Sequence, residues 1–419
     1  MGIKLISREG DFLPLLHKMH QDGKEVLAYI DDDCAKNMHD NMTPKVCSPL
    51  ELSLSKDDTI VFDMVHGGSE ADTLKSQGFT VIGGGSFNDK IELDRDYGQS
   101  FMEAMKINTP DTIGFSSFAD ARKFLKDSDK RYVFKPNGNM DTDLTYVSAS
   151  TEDMLRMLPY LEARCGDEQV DFDLQEFVEG VEMSTEAWFN GEKFLLPLNS
   201  TMEEKKFLTG NLGPATGCMG NVVWWWDMET SQFLYELLFK RMEPILRKER
   251  YLGPLDINAL WTPGDLYALE FTARFGYDAI QAASRLFTPD LYTVLRDLPE
   301  LSELPVIPDR YALSIRLSIP PYPNRSDSED IPIPDPGSLD PFLYWSDVRR
   351  DEEGALWSAS TDGYVASIAA DGNSVAALQR KLYAILGDYK IPNMQYRTDI
   401  GDRFFTDFPE IKKIIEDWS

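Results

Sequence analysis

Cysteine and histidine are scarce, with four of each in 419 residues. Cys34, Cys47, Cys165 and Cys218 are scattered without a CxxC pair, a pattern that suits a reducing compartment and argues against a structural zinc site. His17, His20 and His39 lie among polar neighbours and are expected at the surface, while His66 precedes a Gly-Gly turn with no evident partner. A catalytic triad or a zinc hydrolase is thereby disfavoured. Basic residues are also short: 42 Lys and Arg face 71 Asp and Glu, a net charge of −29. The densest basic stretch, Arg247-Lys248-Glu249-Arg250, carries its own acid. Long-range repulsion then makes nucleic acid an unlikely partner and disfavours anionic membranes. Small phosphorylated substrates remain possible, because local amides and cations decide their binding. No apolar run approaches a membrane span, and the opening Met1–Ile6 reads neither as a secretion signal nor as a myristoylation site. The expectation is a cytoplasmic protein.

What is present is ordinary globular composition: 42% hydrophobic, 11% aromatic and 27% charged residues. A chain of 419 residues exceeds one hydrophobic core and should divide into lobes. Ile3–Ile6, Val26–Ile30, Thr59–Phe62 and Thr80–Ile82 read as strands, with helices over Phe12–Gln21 and Ser69–Gln77, so a parallel βαβ sheet is predicted. A helix over Asp94–Met105 ends at the turn Asn108-Thr109-Pro110. Further strands are expected at Arg131–Lys135, Asp173–Phe177, Lys193–Pro197, Leu266–Phe271, Tyr311–Ser318 and Tyr364–Ala369. Helices are expected at Thr151–Glu162, Ser231–Arg241 and Ser374–Leu386. The fold class is α/β, α+β in parts.

Four stretches carry the functional signal. They are Gln175-Glu176-Phe177-Val178-Glu179-Gly180-Val181-Glu182, Gly213-Pro214-Ala215-Thr216-Gly217-Cys218-Met219-Gly220, Leu269-Glu270-Phe271-Thr272-Ala273-Arg274-Phe275-Gly276 with Gln281 beyond, and Tyr396-Arg397-Thr398-Asp399-Ile400-Gly401. In this order and spacing they resemble the phosphoribosylamine–glycine ligase family of the ATP-grasp superfamily. The resemblance implies an ATP-grasp fold with a Rossmann-like N-terminal domain (1–108), an ATP-grasp domain (109–300, with a lid lobe at about 111–180) and a C-terminal mixed domain (301–419). It implies a carboxylate–amine ligase that consumes ATP with Mg²⁺ or Mn²⁺, forms an amide through an acyl phosphate, and takes glycine or another small amino acid and an amine as small-molecule partners. A role in purine biosynthesis and a monomer or homodimer come with it. Such chemistry needs positioning and charge neutralisation more than side-chain acid–base groups, so few histidines suffice.

Residue by residue, the resemblance places adenine against Gln175, Glu176, Phe177 and Val178, and the ribose hydroxyls on Glu182. Lys135 and Arg95 meet the ATP phosphates. Glu270, Asp256 and Asn258 are the expected metal ligands, hard oxygens at the ends of adjacent strands. Arg274 stabilises the transferring phosphoryl group, and Lys205 leads into the loop containing Gly213, Thr216, Gly217, Met219 and Gly220, which closes over the substrates.

The departures cluster in two places. On the amine side, the glycine-rich phosphate turn after the first strand is replaced by Leu5-Ile6-Ser7-Arg8-Glu9-Gly10-Asp11, which keeps only Arg8 and Glu9. A Gly-Pro-Glu becomes Val61-Phe62-Asp63, and a Gly-Gly-Arg becomes Asp362-Gly363-Tyr364. Over the ATP phosphates, a Gly-Lys-Gly loop becomes Asn137-Gly138-Asn139-Met140-Asp141-Thr142-Asp143, which loses a lysine and gains two acids. Three readings stand: a divergent glycinamide ribonucleotide synthetase, a paralogue that acylates a different amine such as a nucleotide or modified base, and a non-catalytic nucleotide-binding relative.

Overall fold

The computed structural model describes residues 2–136, 144–165, 171–324, 330–359 and 362–419. The altered loop Asn137–Asp143 lies outside the described residues.

At the N-terminus, β1 (Ile3–Ser7), β2 (Val26–Ile30), β3 (Lys45–Val46), β4 (Thr59–Phe62) and β5 (Thr80–Ile82) form a parallel sheet in the order β3-β2-β1-β4-β5. β1 and β4 are buried along their whole length, as strands covered on both faces should be. The helices are α1 (Leu13–Gln21), α2 (Gly68–Ser76), α3 (Ser86–Leu93) and α4 (Arg95–Ala104). Asp94 caps α4 by accepting the Tyr97 amide at 3.0 Å, which sets Arg95 in the first turn.

A small antiparallel sheet follows, ordered β6-β9-β7-β8: β6 (Thr112–Phe115), β7 (Tyr132–Pro136), β8 (Tyr146–Val147) and β9 (Phe172–Glu176). Two helices, α5 (Phe118–Lys126) and α6 (Thr151–Cys165), complete this lobe, whose core includes Phe134, Met154, Leu158, Phe172 and Leu174. Strand alternation then turns Lys135, Asp173 and Gln175 to the opposite face.

The third unit is an antiparallel sheet of eight strands. β10 (Val181–Phe189), β11 (Phe194–Glu203), β14 (Gly220–Trp225), β15 (Gly253–Trp261) and β16 (Leu266–Thr272) are joined by β17 (Tyr311–Ser318), β19 (Leu343–Trp345) and β22 (Tyr364–Gly372) in the order β16-β15-β10-β11-β14-β17-β22-β19. Position 300/301 therefore falls inside a continuous sheet, because β17 pairs with β14. A two-stranded hairpin, β12 (Lys206–Leu208) and β13 (Leu212–Ala215), projects from β11, and β18 (Pro332–Ile333), β20 (Val348–Arg350) and β21 (Leu356–Ser358) make a small separate sheet. The helices here are α7 (Met228–Leu234), α8 (Glu243–Lys248), α9 (Ala279–Ser284), α10 (Leu291–Asp297), α11 (Val375–Asp388) and α12 (Phe404–Trp418).

Two expectations need correction. The single helix expected over 231–241 is α7, then a wide turn at Tyr235–Phe239, then α8, which restarts with a proline in its first turn. His17 and His39 are buried, not at the surface. His39 sits between Thr43 Oγ1 and Trp345 O, each at 2.9 Å, and His17 Nδ1 lies 3.1 Å from Met42 O. Burial holds their pKa values at about 4 and about 3, for His17 and His39 respectively, so both are neutral and tie α1 to β19. Their polar sequence neighbours concealed this, because α1 packs against a strand more than 300 residues away.

Candidate active site

The polar face of the eight-stranded sheet is a ladder. Antiparallel register sets Ser184, Asn258 and Glu270 side by side across β10, β15 and β16, with Thr201 of β11 next to Ser184. One step along, Glu186, Asp256 and Thr272 form a second rung. Directly opposite residues share a face, so polar groups concentrate here while Met183, Ile257 and Phe271 enter the core behind.

Lys205 closes the ladder. Its ammonium donates to Glu182 Oε1 at 3.1 Å and Glu270 Oε1 at 3.5 Å, and the Asn258 amide donates to Glu182 Oε1 at 2.8 Å. Four of the expected site residues are thus in direct contact. Lys205 holds Glu182 well down, at about 2, with help from Asn258. Desolvation works against ionisation of Glu270, but Lys205, Lys135 and Arg95 outweigh it and hold that carboxyl below its ordinary value. Desolvation, then Arg95, lowers Lys135 to about 8. The Lys135 ammonium feels Glu270, Lys205 and Glu182, so it looks down from the lobe of β6–β9 onto this floor.

Between that lobe, α4 and β16 lies a cleft of about 640 Å³ lined by Arg95, Gln99, Ser116, Pro136, Asp173 and Glu270. Gln175, two residues beyond Asp173 on β9, is buried and donates to Thr112 Oγ1 at 3.2 Å. The Glu176 amide is bound to Asp111 O and the Phe177 amide to Arg131 O, each at 2.8 Å, which fixes the chain leading through Val178 to Glu182. Arg131 covers the Phe177 ring at 3.5 Å.

The residues expected to hold a metal divide by geometry. Asn258 and Glu270 face each other beside Glu182 on adjacent strands. Asp256 is buried one rung away, where desolvation and the charges of Glu186 and Glu203 push its carboxyl far above the usual range. Among the described residues no three His, Cys, Asp or Glu side chains form a ready-made metal cage. A hard divalent ion that keeps waters and nucleotide oxygens as ligands fits this donor set, with Glu270 and Asn258 as its protein oxygens.

Comparison with known proteins agrees with this geometry. The model of the ATP-grasp (A) domain of phosphoribosylglycinamide synthetase matches residues 93–279. The phosphoribosylamine–glycine ligase of Halalkalibacterium halodurans is 25% identical over 341 residues, 79% of this chain and 78% of that protein. The Listeria monocytogenes enzyme is 25% identical over 348 residues, 79% of this chain and 80% of its own length. Among solved structures, the Thermotoga maritima phosphoribosylamine–glycine ligase superposes with a TM-score of 0.73 at 22% identity, covering 96% of this chain and all (100%) of that one. The biotin carboxylase domain of the Hydrogenobacter thermophilus 2-oxoglutarate carboxylase, solved with MgADP and bicarbonate, gives 0.62 at 10% identity over 94% and 91% of the two chains. The chain is an ATP-grasp ligase, a divergent relative of phosphoribosylamine–glycine ligase.

In this ATP-grasp ligase the remaining site residues flank the floor. Arg274 donates from Nε to Glu92 Oε1 at 2.9 Å and lies over the Tyr277 ring at 4.3 Å. Its charge reaches Glu203 on one side and Asp11 and Asp63 on the other. Thr216 donates to Lys205 O from its amide at 2.7 Å and its hydroxyl at 2.8 Å, and a Cβ on Gly217 would meet the Tyr277 ring at 3.2 Å. Gly213 takes φ +77 in the hairpin, a conformation glycine adopts freely. Met219 is fully buried in the core and Gly220 begins β14, so both support the loop from behind. Arg8 is exposed and Glu9 half-buried at the β1 turn, whereas Asp63 is buried and accepts from the Ser7 hydroxyl and the Phe12 amide, each at 2.8 Å.

Sequence reasoning missed several members. Glu92, Glu186, Glu203 and Tyr277 carry no motif; the strands β10 and β11 bring in Glu186 and Glu203, and contact with Arg274 brings in Glu92 and Tyr277. Arg397 lay in a quoted stretch without a role. It proves to bind Asp399 with both forks at 2.8 Å, and Lys206 O and Asn211 Oδ1 at 2.9 Å. The C-terminal motif thereby anchors the β12–β13 hairpin.

Proposed function

We propose that this ligase activates a small amino acid, glycine first among candidates, as its acyl phosphate and transfers the acyl group to an amine, with Mg²⁺ or Mn²⁺ as the metal. The observation that carries the reading is Lys205 bridging Glu182 and Glu270 beneath Lys135 and Arg95. Two carboxylates and three cations at one spot suit a triphosphate with its counter-ion.

In this reading Lys135 and Arg95 grip the phosphates, and Glu182 takes the ribose hydroxyls. Glu270 and Asn258 would hold a divalent metal, which would supply charge neutralisation for the transferring phosphoryl group. A carboxylate oxygen of the amino acid attacks the γ-phosphorus and ADP departs. The amine nitrogen then attacks the acyl carbon, the acyl C–O bond breaks and inorganic phosphate leaves. Arg274, pinned by Glu92 and Tyr277, stands between the floor and the β1 turn, where charge on the leaving phosphate needs support.

With phosphoribosylamine as the amine, the protein serves purine biosynthesis; with another amine it does not. A division at 108/109, a cytoplasmic setting and a monomer or homodimer belong to the same reading, while the strands on either side of 300/301 share one sheet. A non-catalytic relative is the weaker one, since Lys135, Glu182, Lys205, Glu270 and Arg274 are assembled. The test is to supply Mg²⁺-ATP, single amino acids and hydroxylamine, a nucleophile that traps acyl phosphates whatever the natural amine. Glycine-dependent ADP release with a hydroxamate product supports the reading. No hydroxamate with any small amino acid refutes it.

A further inference from the structure

The C-terminal stretch Tyr396–Gly401 runs directly into α12, and Arg403 stands at the start of that helix. Its guanidinium reaches the backbone of the site. Nη2 donates to Glu182 O at 2.6 Å, Nη1 to Glu203 O at 3.1 Å, and Nε to Asp407 Oδ2 at 2.8 Å. This is where the sheet itself lets go. Pairing of β10 with β11 ends at Ser184–Thr201, and two further steps of the same register would set Glu182 against Glu203. A side chain therefore joins the two strand ends where a ladder hydrogen bond would otherwise satisfy their carbonyls.

The segment after Glu203 carries Lys205, and its carbonyls are all engaged. Glu204 O accepts the Met219 amide at 2.8 Å, Lys205 O the Thr216 amide at 2.7 Å, and Lys206 O accepts Arg397 Nη1 at 2.9 Å. Two arginines of the C-terminal segment thus grip the chain on either side of Lys205. A planar fork suits such paired contacts, and an ammonium does not reproduce them. Packing holds α12 in place at both ends: Phe404 meets the Trp224 ring edge-on at 5.6 Å, and Trp418 stacks on Trp261 at 5.8 Å. Trp261 pairs with Val181, the neighbour of Glu182, so the helix bears on the start of β10. Lys205 chiefly, with Arg403 a smaller contributor, keeps the Glu182 carboxyl at about 2.

We propose that Arg403 is a positioning residue for nucleotide recognition: by bridging Glu182 O and Glu203 O it aims the Glu182 carboxylate at the ribose hydroxyls, so the C-terminal helix sets the preference for a ribonucleotide. This rests on the reading above that Glu182 takes those hydroxyls. Arg403 touches no substrate. It acts through the backbone of the residue that does, and a carboxylate displaced by a fraction of its hydrogen-bond length loses most of its selectivity.

The test is calorimetry on the full chain, comparing Mg²⁺-ATP with Mg²⁺-2′,3′-dideoxy-ATP in the absence of amino acid. Two charge-assisted bonds to the hydroxyls, each about tenfold, predict a preference for ATP of about 100-fold. Arg403→Gln should cut that preference to about tenfold or less while dideoxy-ATP binds within about threefold of its wild-type affinity, because its contacts to Lys135 and Arg95 do not pass through Arg403. Arg403→Lys should fall between. Asp407→Asn, which frees Nε and leaves the charge, should lower the preference about threefold and serves where Arg403→Gln melts early. Glu182→Gln is the control. A wild-type preference below about threefold, or one that survives Glu182→Gln, brings down the ribose reading and the proposal with it. A preference lost in Glu182→Gln but intact in the Arg403 and Asp407 variants overturns the positioning role alone. Equal weakening of both nucleotides in those variants overturns it too, since Arg403 would then only maintain the fold. Hydroxamate formation is measured separately, so the acyl-transfer reading is tested on its own.

Discussion

Arg397→Met is the sharpest test of how the β12–β13 hairpin is held. Arg397 is 1% exposed and donates to Asp399 twice, to Lys206 O and to Asn211 Oδ1, with Glu204 Oε2 at 3.2 Å. Asp399 in turn accepts the Gly210 amide at 2.8 Å. Methionine fills much of the volume but leaves two carboxylates without their cation. Breaking a buried pair by removing one partner costs about 3–5 kcal/mol. At about 1.4 kcal/mol per decade, that is roughly a hundredfold to several thousandfold easier opening of the hairpin. A global melt is a poor readout in a chain of several lobes, since unfolding need not be two-state. Hydrogen exchange followed by mass spectrometry on peptides covering 204–216 reads the local opening directly. Arg397→Lys, with the charge but not the fork, should fall between. Protection within about threefold of the wild type in Arg397→Met would refute the anchoring role, because the buried pair would then carry none of the expected energy.

Glu270→Gln should lower hydroxamate turnover by at least about 100-fold, as loss of a charged phosphoryl-site group commonly does; near-normal turnover removes Glu270 from the metal site. Lys135→Ala should raise the ATP KM with little change in kcat. Because the Lys135 ammonium loses its proton near pH 8, the wild-type ATP KM should climb as pH rises through that value. The variant should lack the step, and a step in both assigns it elsewhere. Burial raises Glu186 from 4.5 to about 7, so between those values the folded chain holds a proton that the unfolded chain has released. Stability should therefore decline as pH rises from about 4.5 to about 7, and Glu186→Gln, measured in urea at each pH, should flatten that decline.

The floor was legible because its residues lie in stretches that resemble those of phosphoribosylamine–glycine ligase. Glu182, Asn258 and Glu270 lie on the adjacent strands β10, β15 and β16, where register brings them together, and Lys205 follows β11. The parallel N-terminal sheet was legible because β1 and β4 are continuous apolar runs. Asp256 shows where this logic runs out: one rung decides whether a carboxylate faces the cleft or is buried against Glu186, and no local pattern encodes that step. Glu92 is another case, because its partner Arg274 lies 182 residues away. The turn after β1 was visibly altered in sequence. That Ser7 and Asp63 close its amides depends on the pairing of β1 with β4, which sequence gives only as two separate strands.

The eight-stranded sheet reaches from the polar ladder on β16, β15 and β10 to β22, where Tyr364 walls a small pocket beside the turn after β1. Both ends are therefore inherited on one rigid plate, with their spacing set by strand pairing and not by loops. Such a plate lets descent act on the two ends separately. Point changes around the β1 turn and β22 then alter side chains at one end of the plate while the register that assembles Glu182, Asn258 and Glu270 at the other stays in place.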